Sequence, residues 1–417
     1  MKDQIDELAV FGGTPAFQEK LYVGRPNIGN REQILQRIAD MLDRRWLSNN
    51  GLYVQDLEKR IAKLLDVKHC IAICNATVAL EITSRALDLT GEVIVPSFTF
   101  IATAHALQWQ EITPVFCDID PVTHCLNPWR IESMITPRTT GIVGVHLWGH
   151  PCNTEALTEV ASKHNLKLMF DASHAFGCSH NGTMIGNFGD AEVFSFHATK
   201  FINAFEGGAV VTNNDDLATK IRLMKNFGFA GYDNVTYIGV NGKMNEACAA
   251  MALTSLESLD EFTQINYRNY KCYQSELAGI PGLKLYAHDE AEKRNYQYIV
   301  VEMEESVTQV SRDQIVKILH AENVMARRYF YPGCHRMEPY RSYFPHAGLL
   351  LPETERLTER VLVLPTGTAI DESDIRLICK ILRFVLAHGI SIRKQLQSAL
   401  KPAHFAENQG EFQCTKH

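Results

Sequence analysis

LKLMFDASHAFG, residues 166–177, and AEVFSFHATK, residues 191–200, decide the fold. The first is an apolar run that ends on Asp171 and passes into small and turn-forming residues, the pattern of a buried strand running into a loop. The second is a strand, Ala191–Phe196, whose exit carries Lys200. Open α/β sheets bind ligands beyond the carboxyl ends of their strands. The two runs therefore predict a carboxylate and an amine delivered to one sheet edge.

Outward from this pair, short β-branched or aromatic runs at His69–Cys74, Glu92–Val95, Pro114–Cys117, Gly141–His146, Leu166–Phe170 and Ala209–Thr212 read as further strands. Helix-length segments, among them Ala76–Ala86, Ile101–Trp109 and Thr154–Lys163, lie between them. This alternation predicts the α/β class with a mostly parallel sheet. A long helical pattern from Asn245 to Leu277 breaks the alternation, and Ile280-Pro281-Gly282 stops it. A smaller α+β unit follows, with strands at Gln297–Met303 and Met325–Tyr331 and helices at Arg312–Ala321, Glu353–Val361 and Glu372–Ala387. The expected division is residues 1–250 for an N-terminal segment and the large domain, 251–394 for the small domain and 395–417 for a frayed tail.

Bulk properties exclude several classes. No stretch of about 18 uncharged apolar residues reads as a membrane span. A net charge of −7 spread over 417 residues lacks the basic face that nucleic-acid binding needs. The 11 cysteines include no C-x-x-C pair, which predicts reduced thiols, and the acidic opening MKDQIDELAV lacks a signal-peptide pattern. The expected location is the cytoplasm.

A strand-end carboxylate and a lysine on one edge are what pyridoxal phosphate requires: an amine to carry it as an imine and an acid to keep its pyridine nitrogen protonated. Taken singly, Asp171 reads as a strand-end cap and Lys200 as a solvated cation. A third element shifts the balance toward chemistry. The strand at His69 runs through Asn75-Ala76-Thr77 into a helix, whose first amides and dipole suit a phosphate, although an ordinary N-cap explains the same residues. No Walker lysine or dinucleotide glycine fingerprint follows. His146 and His150 have H-x-x-x-H spacing, but that aligns two ligands only on a helix, and this segment reads as a strand end, so no metal is expected.

The succession CNATVAL, VPSFTFIAT, TPVFCDID, ITPRTTGIVGVHLWG, FDASHAFG, IGNFGDAEVFSFHATK, EGGAVVT and NGKMNEACAA resembles the DegT/DnrJ/EryC1/StrS sugar aminotransferases, over about residues 45–386. The resemblance implies the fold type I architecture, with a large mixed sheet and a smaller C-terminal domain, and pyridoxal 5'-phosphate as cofactor. It implies Phe100 as the residue stacked on the cofactor ring, His174 beside its phenolic oxygen and Ser195 at its phosphate. Asn241 matches an asparagine that reaches the phosphate from a neighbouring subunit, which implies a homodimer with shared active sites. Lys243 near that entrance is a candidate to meet the diphosphate of a nucleotide sugar, and a solvated lysine explains it equally well; Trp148 and Tyr331 are candidates for the sugar pocket, although packing in a core is the commoner fate of an aromatic. Ser173 stands where the family more often has alanine.

WLSNNG, KNFGF, YFYPGCHRMEPYR and LVLPTGTAI are most similar to the members that transfer an amino group to C4 of dTDP-4-keto-6-deoxy-D-glucose. Transfer from L-glutamate, giving dTDP-4-amino-4,6-dideoxy-D-glucose, is the reaction this likeness implies. An aminotransferase acting on a 3-keto dTDP-sugar shares the same cofactor motifs. A sugar dehydratase resembles this chain with histidine in place of the lysine, and Lys200 argues against it. A non-catalytic regulator on the same fold would bring a basic helix-turn-helix, and none precedes residue 45.

Overall fold

The computed structural model describes residues 2–399. Its large sheet has seven strands: β1 (His69–Ile73), β2 (Glu92–Pro96), β3 (Thr113–Cys117), β4 (Thr139–Val145), β5 (Lys167–Asp171), β6 (Ala191–Ser195) and β7 (Gly208–Thr212), in the spatial order β1-β7-β6-β5-β4-β2-β3. All neighbours are parallel except β7, which runs antiparallel to both β1 and β6. The 12 residues between β6 and β7 form no helix, whereas parallel neighbours are usually joined through one, and here the chain returns antiparallel. Both faces of the sheet are covered, so its strands are nearly continuous apolar runs with few exposed positions.

Asparagines start the helices that follow the strands. Asn75 accepts from the Val78 amide to begin Ala76–Ala86, Asn153 from Ala156 to begin Thr154–Lys163, and Asn245 from Cys248 to begin Glu246–Glu257. Glu246 is fully buried, and its carboxylate accepts the Tyr53 and Val54 amides at 3.0 Å each, capping the helix Leu52–Leu65 that has no side-chain cap of its own. Among the described residues no helix is long and apolar enough to cross a membrane.

The smaller unit has an antiparallel sheet of β8 (Leu283–Leu285), β9 (Ile299–Met303) and β10 (Val361–Leu364) in that order, backed by helices Leu259–Leu277, Arg312–Ala321 and Glu372–Ala387. Leu8 and Phe17 are buried in its core beside Tyr273, Ile315 and Ile378, so the start of the chain packs on its end.

The structure departs from the sequence expectations in four places. The pattern Asn245–Leu277 forms two helices that break at Ser258, because Ala249, Ala252 and Leu253 pack on the large core whereas Tyr270, Tyr273 and Leu277 pack on the small one. The expected division at residue 250 falls inside the first of these helices. The helix expected over Glu353–Val361 ends at Thr358, and the apolar run Val361–Leu364 is a buried strand. Of the strand expected over Met325–Tyr331, Met325 pairs with Tyr22 in a two-residue ladder of Val324–Met325 on Leu21–Tyr22 and Arg327 forms an isolated antiparallel bridge to Val363, whereas Phe330 turns inward against Phe98 and Trp148. The expected tail begins as a helix, Gly389–Ala399, whose Ile392 and Leu396 join the C-terminal core; residues 400–417 lie outside the described residues.

His288 is buried and His150 half-buried near Arg294, and desolvation, reinforced by that guanidinium, lowers them to about 3 and about 4. Both are held neutral in the folded chain, so the unfolded chain takes up more protons as pH falls below about 6.5. Folding free energy should therefore be full at neutral pH and fall by about 1.4 kcal/mol per pH unit for each histidine on acidification toward those values. Urea unfolding between pH 7 and pH 5 measures this slope. His288→Gln should remove one proton's share, and an unchanged slope would contradict neutral burial.

Candidate active site

The register of β5 on β6 pairs Asp171 with Val193, and the Ala172 amide donates to the Val193 carbonyl at 2.8 Å. Asp171 thus ends β5 at the carboxyl edge, while the chain leaving β6 turns at His197, where the Lys200 amide donates to the His197 carbonyl at 2.8 Å, and brings Lys200 over the same edge. A cavity of about 310 Å³ lies there, and Ala76, Thr77, Phe100, Asp171, His174, Ser195 and Lys200 all line it.

At the inner wall, the Asp171 carboxylate is buried and doubly held. Thr103 donates its hydroxyl to Oδ2 at 2.8 Å, and the Ser173 amide donates to Oδ1 at 3.1 Å. Since a backbone amide makes the second bond, serine in place of alanine at position 173 leaves it unchanged. Lys200 is half-buried in the cavity wall, and its Nζ donates a long 3.5 Å bond to the Tyr298 hydroxyl. Burial lowers its amine to about 8, with Asp171 opposing the shift.

His174 is also buried, and its imidazole sits well below the usual histidine range because of burial and the nearby Lys200. Its Nδ1 accepts the Trp148 amide at 3.3 Å, so the neutral ring carries its proton on Nε2. Trp148 and Phe330 stack on it with ring centroids 5.8 and 6.0 Å away.

The opposite wall is built for an anion. Asn75 satisfies the Val78 amide with its side chain, whereas the first-turn amides of Ala76 and Thr77 have no partner within the helix. The Ser195 hydroxyl accepts the His197 amide at 3.4 Å and keeps its own proton to donate. Gly208 makes this wall possible: a Cβ there would come within 2.8 Å of the Ala76 nitrogen and 2.9 Å of the Phe194 carbonyl oxygen. Phe100 is 58% exposed, a large apolar face on the cavity wall.

Trp148 and Tyr331 do not line this cavity, and neither do Asn241 and Lys243, which the resemblance assigns to a neighbouring subunit's site. Trp148 is fully buried behind His174 and donates its indole N–H to His124 at 3.2 Å, so it cannot line a sugar pocket. Tyr331 lies beneath the guanidinium groups of Arg328 and Arg312, at 4.5 and 5.2 Å, on a neighbouring cleft that shares Phe100, Tyr329 and Phe330 with the cavity. Asn241 is exposed outside the cavity lining. Lys243 reaches Asn226 at 3.0 Å and lies over the Phe227 ring at 4.6 Å in a separate cleft. Both His146 nitrogens are engaged, Nε2 with Glu192 at 3.1 Å and Nδ1 with the Cys152 amide at 3.0 Å, which makes this histidine a brace. Thr103, Tyr298 and Tyr329 were missed. Thr103 stands in the FIAT motif already singled out, but nothing in the sequence pairs it with Asp171, and Tyr298 arrives from the other domain.

A half-buried amine, a fixed carboxylate, an exposed aromatic face and an anion cradle in one cavity match the groups of pyridoxal phosphate: aldehyde, ring nitrogen, ring and phosphate. This defines the class, an enzyme built to hold that cofactor against a lysine. The model of the DegT/DnrJ/EryC1/StrS aminotransferase family matches residues 29–383. The chain is 35% identical over 366 residues to a dTDP-4-amino-4,6-dideoxy-D-glucose transaminase of Shigella dysenteriae, spanning 88% of this chain and 99% of the relative. It is 34% identical over 361 residues to a GDP-perosamine synthase of Caulobacter vibrioides, spanning 85% and 95%. A crystal structure of DesI in the presence of its TDP-sugar product superposes with a TM-score of 0.91 at 49% identity, covering 94% of this chain and 100% of that one. The chain belongs to the DegT/DnrJ/EryC1/StrS aminotransferase family, and its cofactor is pyridoxal phosphate.

A nucleophilic lysine must be neutral. Capture of pyridoxal phosphate by the cofactor-free protein, followed by stopped-flow absorbance, should accelerate from pH 7 to pH 9 with a midpoint near about 8, because the neutral fraction grows as pH passes the amine's value. A midpoint near the ordinary 10.5 would show that Lys200 is not desolvated.

Proposed function

We propose that this enzyme transfers an amino group from L-glutamate to C4 of dTDP-4-keto-6-deoxy-D-glucose, giving dTDP-4-amino-4,6-dideoxy-D-glucose. The observation that carries the reading is the placement of Lys200 and Asp171 in one cavity, in a chain similar along almost its whole length to a transaminase named for that product. The likeness to DesI bound to a TDP-sugar product supports the same substrate class.

When bound, pyridoxal phosphate supplies an electron sink and carries the nitrogen between the two substrates. Lys200 Nζ is assigned as the group that takes the proton from the α-carbon of glutamate and later delivers one to C4 of the sugar. Its lowered value keeps a neutral fraction available near neutral pH, and such acid–base catalysis is worth roughly 10²–10⁴ in rate. Asp171 is assigned to hold a proton on the pyridine nitrogen, and His174 to donate from Nε2 to the phenolic oxygen. Ala76, Thr77 and Ser195 are assigned to the phosphate and Phe100 to the ring face. Buried thiols such as Cys70 and Cys117 suit a reducing cytoplasm.

A homodimer with shared sites is part of the reading. Asn241 follows a segment whose Phe227, Phe229, Val235, Ile238 and Val240 are all exposed in the single chain, an apolar surface suited to a second copy. Across a two-fold axis, Asn241 would complete the partner's phosphate cradle and Lys243 would face its entrance.

Two experiments test this. Incubating the enzyme with pyridoxal phosphate, L-glutamate and either the 4-keto or the 3-keto dTDP-sugar should place nitrogen at C4 by NMR; nitrogen at C3 with the 4-keto sugar untouched would refute the regiochemistry while leaving the cofactor chemistry intact. Mixed Lys200→Ala and Asn241→Asp subunits, each inactive alone, should regain part of the activity, because one site per hybrid has both residues intact. No recovery despite proven subunit exchange would count against shared sites.

A further inference from the structure

The turn 333–336 of the small unit is fastened to the strand end that carries Phe100. The Cys334 amide donates to the Ser97 carbonyl at 2.9 Å, the Cys334 thiol to the Thr99 carbonyl at 3.4 Å, and the His335 amide to Ser97 Oγ at 3.0 Å. Ser97 Oγ and His335 Nδ1 are 2.7 Å apart. His335 Nε2 is 2.5 Å from Glu355 Oε1, an acceptor, so the neutral ring's proton belongs on Nε2 and Nδ1 accepts the Ser97 proton. Ser97 is fully buried and His335 is 2% exposed, so water does not compete for these bonds.

A second directed chain starts from the same strand end. Thr103 spends its proton on Asp171, at 2.8 Å, and the 3.1 Å contact between the Thr99 and Thr103 hydroxyls must then run from Thr99 to Thr103. Thr99 and Thr103 are each 2% exposed. The strand end thus meets the small unit through Ser97 and the Asp171 carboxylate through Thr99. Phe100 directly follows Thr99, so it leaves the backbone between the residues bonded to the small unit, Ser97, and to Asp171, Thr103. Ordered polar chains in a dry interior tolerate one geometry and penalise others.

We propose that His335 and Thr103 are positioning residues for the cofactor: the Glu355–His335–Ser97 chain sets the orientation of the Phe100 ring, and the Thr99–Thr103 chain sets the Asp171 carboxylate. This rests on the reading of the cavity as the cofactor site. It adds that the small unit, whose His335 and Glu355 do not line the cavity, determines how the cofactor is held. Supporting groups of this kind fix reacting side chains to within fractions of an ångström.

The test uses the full-length enzyme with pyridoxal phosphate and compares Thr103→Val with Thr103→Ser, and Ser97→Ala and His335→Leu with His335→Asn. The readouts are visible circular dichroism of the bound cofactor, its dissociation constant, and kcat and KM for the sugar. Thr103→Val should lower kcat about tenfold, the size of one lost hydrogen bond to a charged group, with KM little changed. Ser97→Ala and His335→Leu should weaken cofactor binding and alter its dichroism, because ring orientation changes. Thr103→Ser and His335→Asn, which keep the needed hydroxyl and acceptor, should restore most of each property. Where His335→Leu does not fold, Ser97→Ala removes the same contact by a single atom. The inference is overturned if Thr103→Val and Ser97→Ala keep wild-type dichroism, affinity and kcat, or if Thr103→Val and Thr103→Ser lose activity equally, which would indicate packing. Failure of the unaltered enzyme to bind pyridoxal phosphate would instead overturn the cofactor reading itself, and this inference with it.

Discussion

A half-buried amine and a buried carboxylate must share one cavity without collapsing onto each other. Opposite charges in a low-dielectric interior attract strongly, and an Asp171–Lys200 ion pair would fill the space between them and hold the amine protonated. The fold prevents this by satisfying the acid elsewhere. Thr103 and the Ser173 amide occupy the two carboxylate oxygens, while among the described residues the Lys200 amine has one hydrogen bond, the long one to Tyr298. Desolvation without close compensation is what lowers the lysine. The rest of the architecture preserves that separation, with β5 and β6 delivering the groups from adjacent strands and Gly208 letting β7 approach the helix start closely enough to form the anion wall.

The small unit has more than a covering role. Tyr298 precedes β9 and accepts a long hydrogen bond from the lysine amine, Phe330 stacks on His174, and His335 grips the strand end before Phe100. A long apolar interface including Ile94, Phe98, Trp148, Val300 and Val363 locks the two units together around these contacts. Movement between the units would disturb the lysine, the histidine and the aromatic wall at once. The architecture therefore favours a preorganised site, in which acid–base groups stand ready before substrate enters.

Much of this was legible from local pattern. Asp171 and Lys200 end short apolar runs bounded by turns, a signal contained within a dozen residues, and helices such as Ala76–Ala86 and Arg312–Ala321 were bounded by their caps. What escaped depends on distant pairing or an unusual turn. For Trp148 the pocket and the core were both open to a sequence reading, and the backbone decides: φ 60°, ψ 12°, followed by Gly149 at φ 81°, is a left-handed turn that drives the indole into the core. Tyr331 was drawn aside by two arginines whose positions no periodicity reveals. Tyr298 and Thr103 gain their meaning only when residues far apart in sequence are folded together. Val361–Leu364 is an apolar run short enough to fit helix or strand, and only the β9 edge beside it decides.

The central claim is that the Asp171 carboxylate, held by Thr103 and Ser173, keeps the cofactor's ring nitrogen protonated while Lys200 remains free to act as a base. Nitrogen NMR of the enzyme loaded with pyridoxal phosphate labelled at the ring nitrogen measures this directly. The account predicts a protonated nitrogen from pH 6 to pH 9 in the wild-type enzyme and loss of that signal within this range in Asp171→Asn. An unprotonated ring nitrogen in the wild type, or the same protonated signal in both proteins, would contradict it.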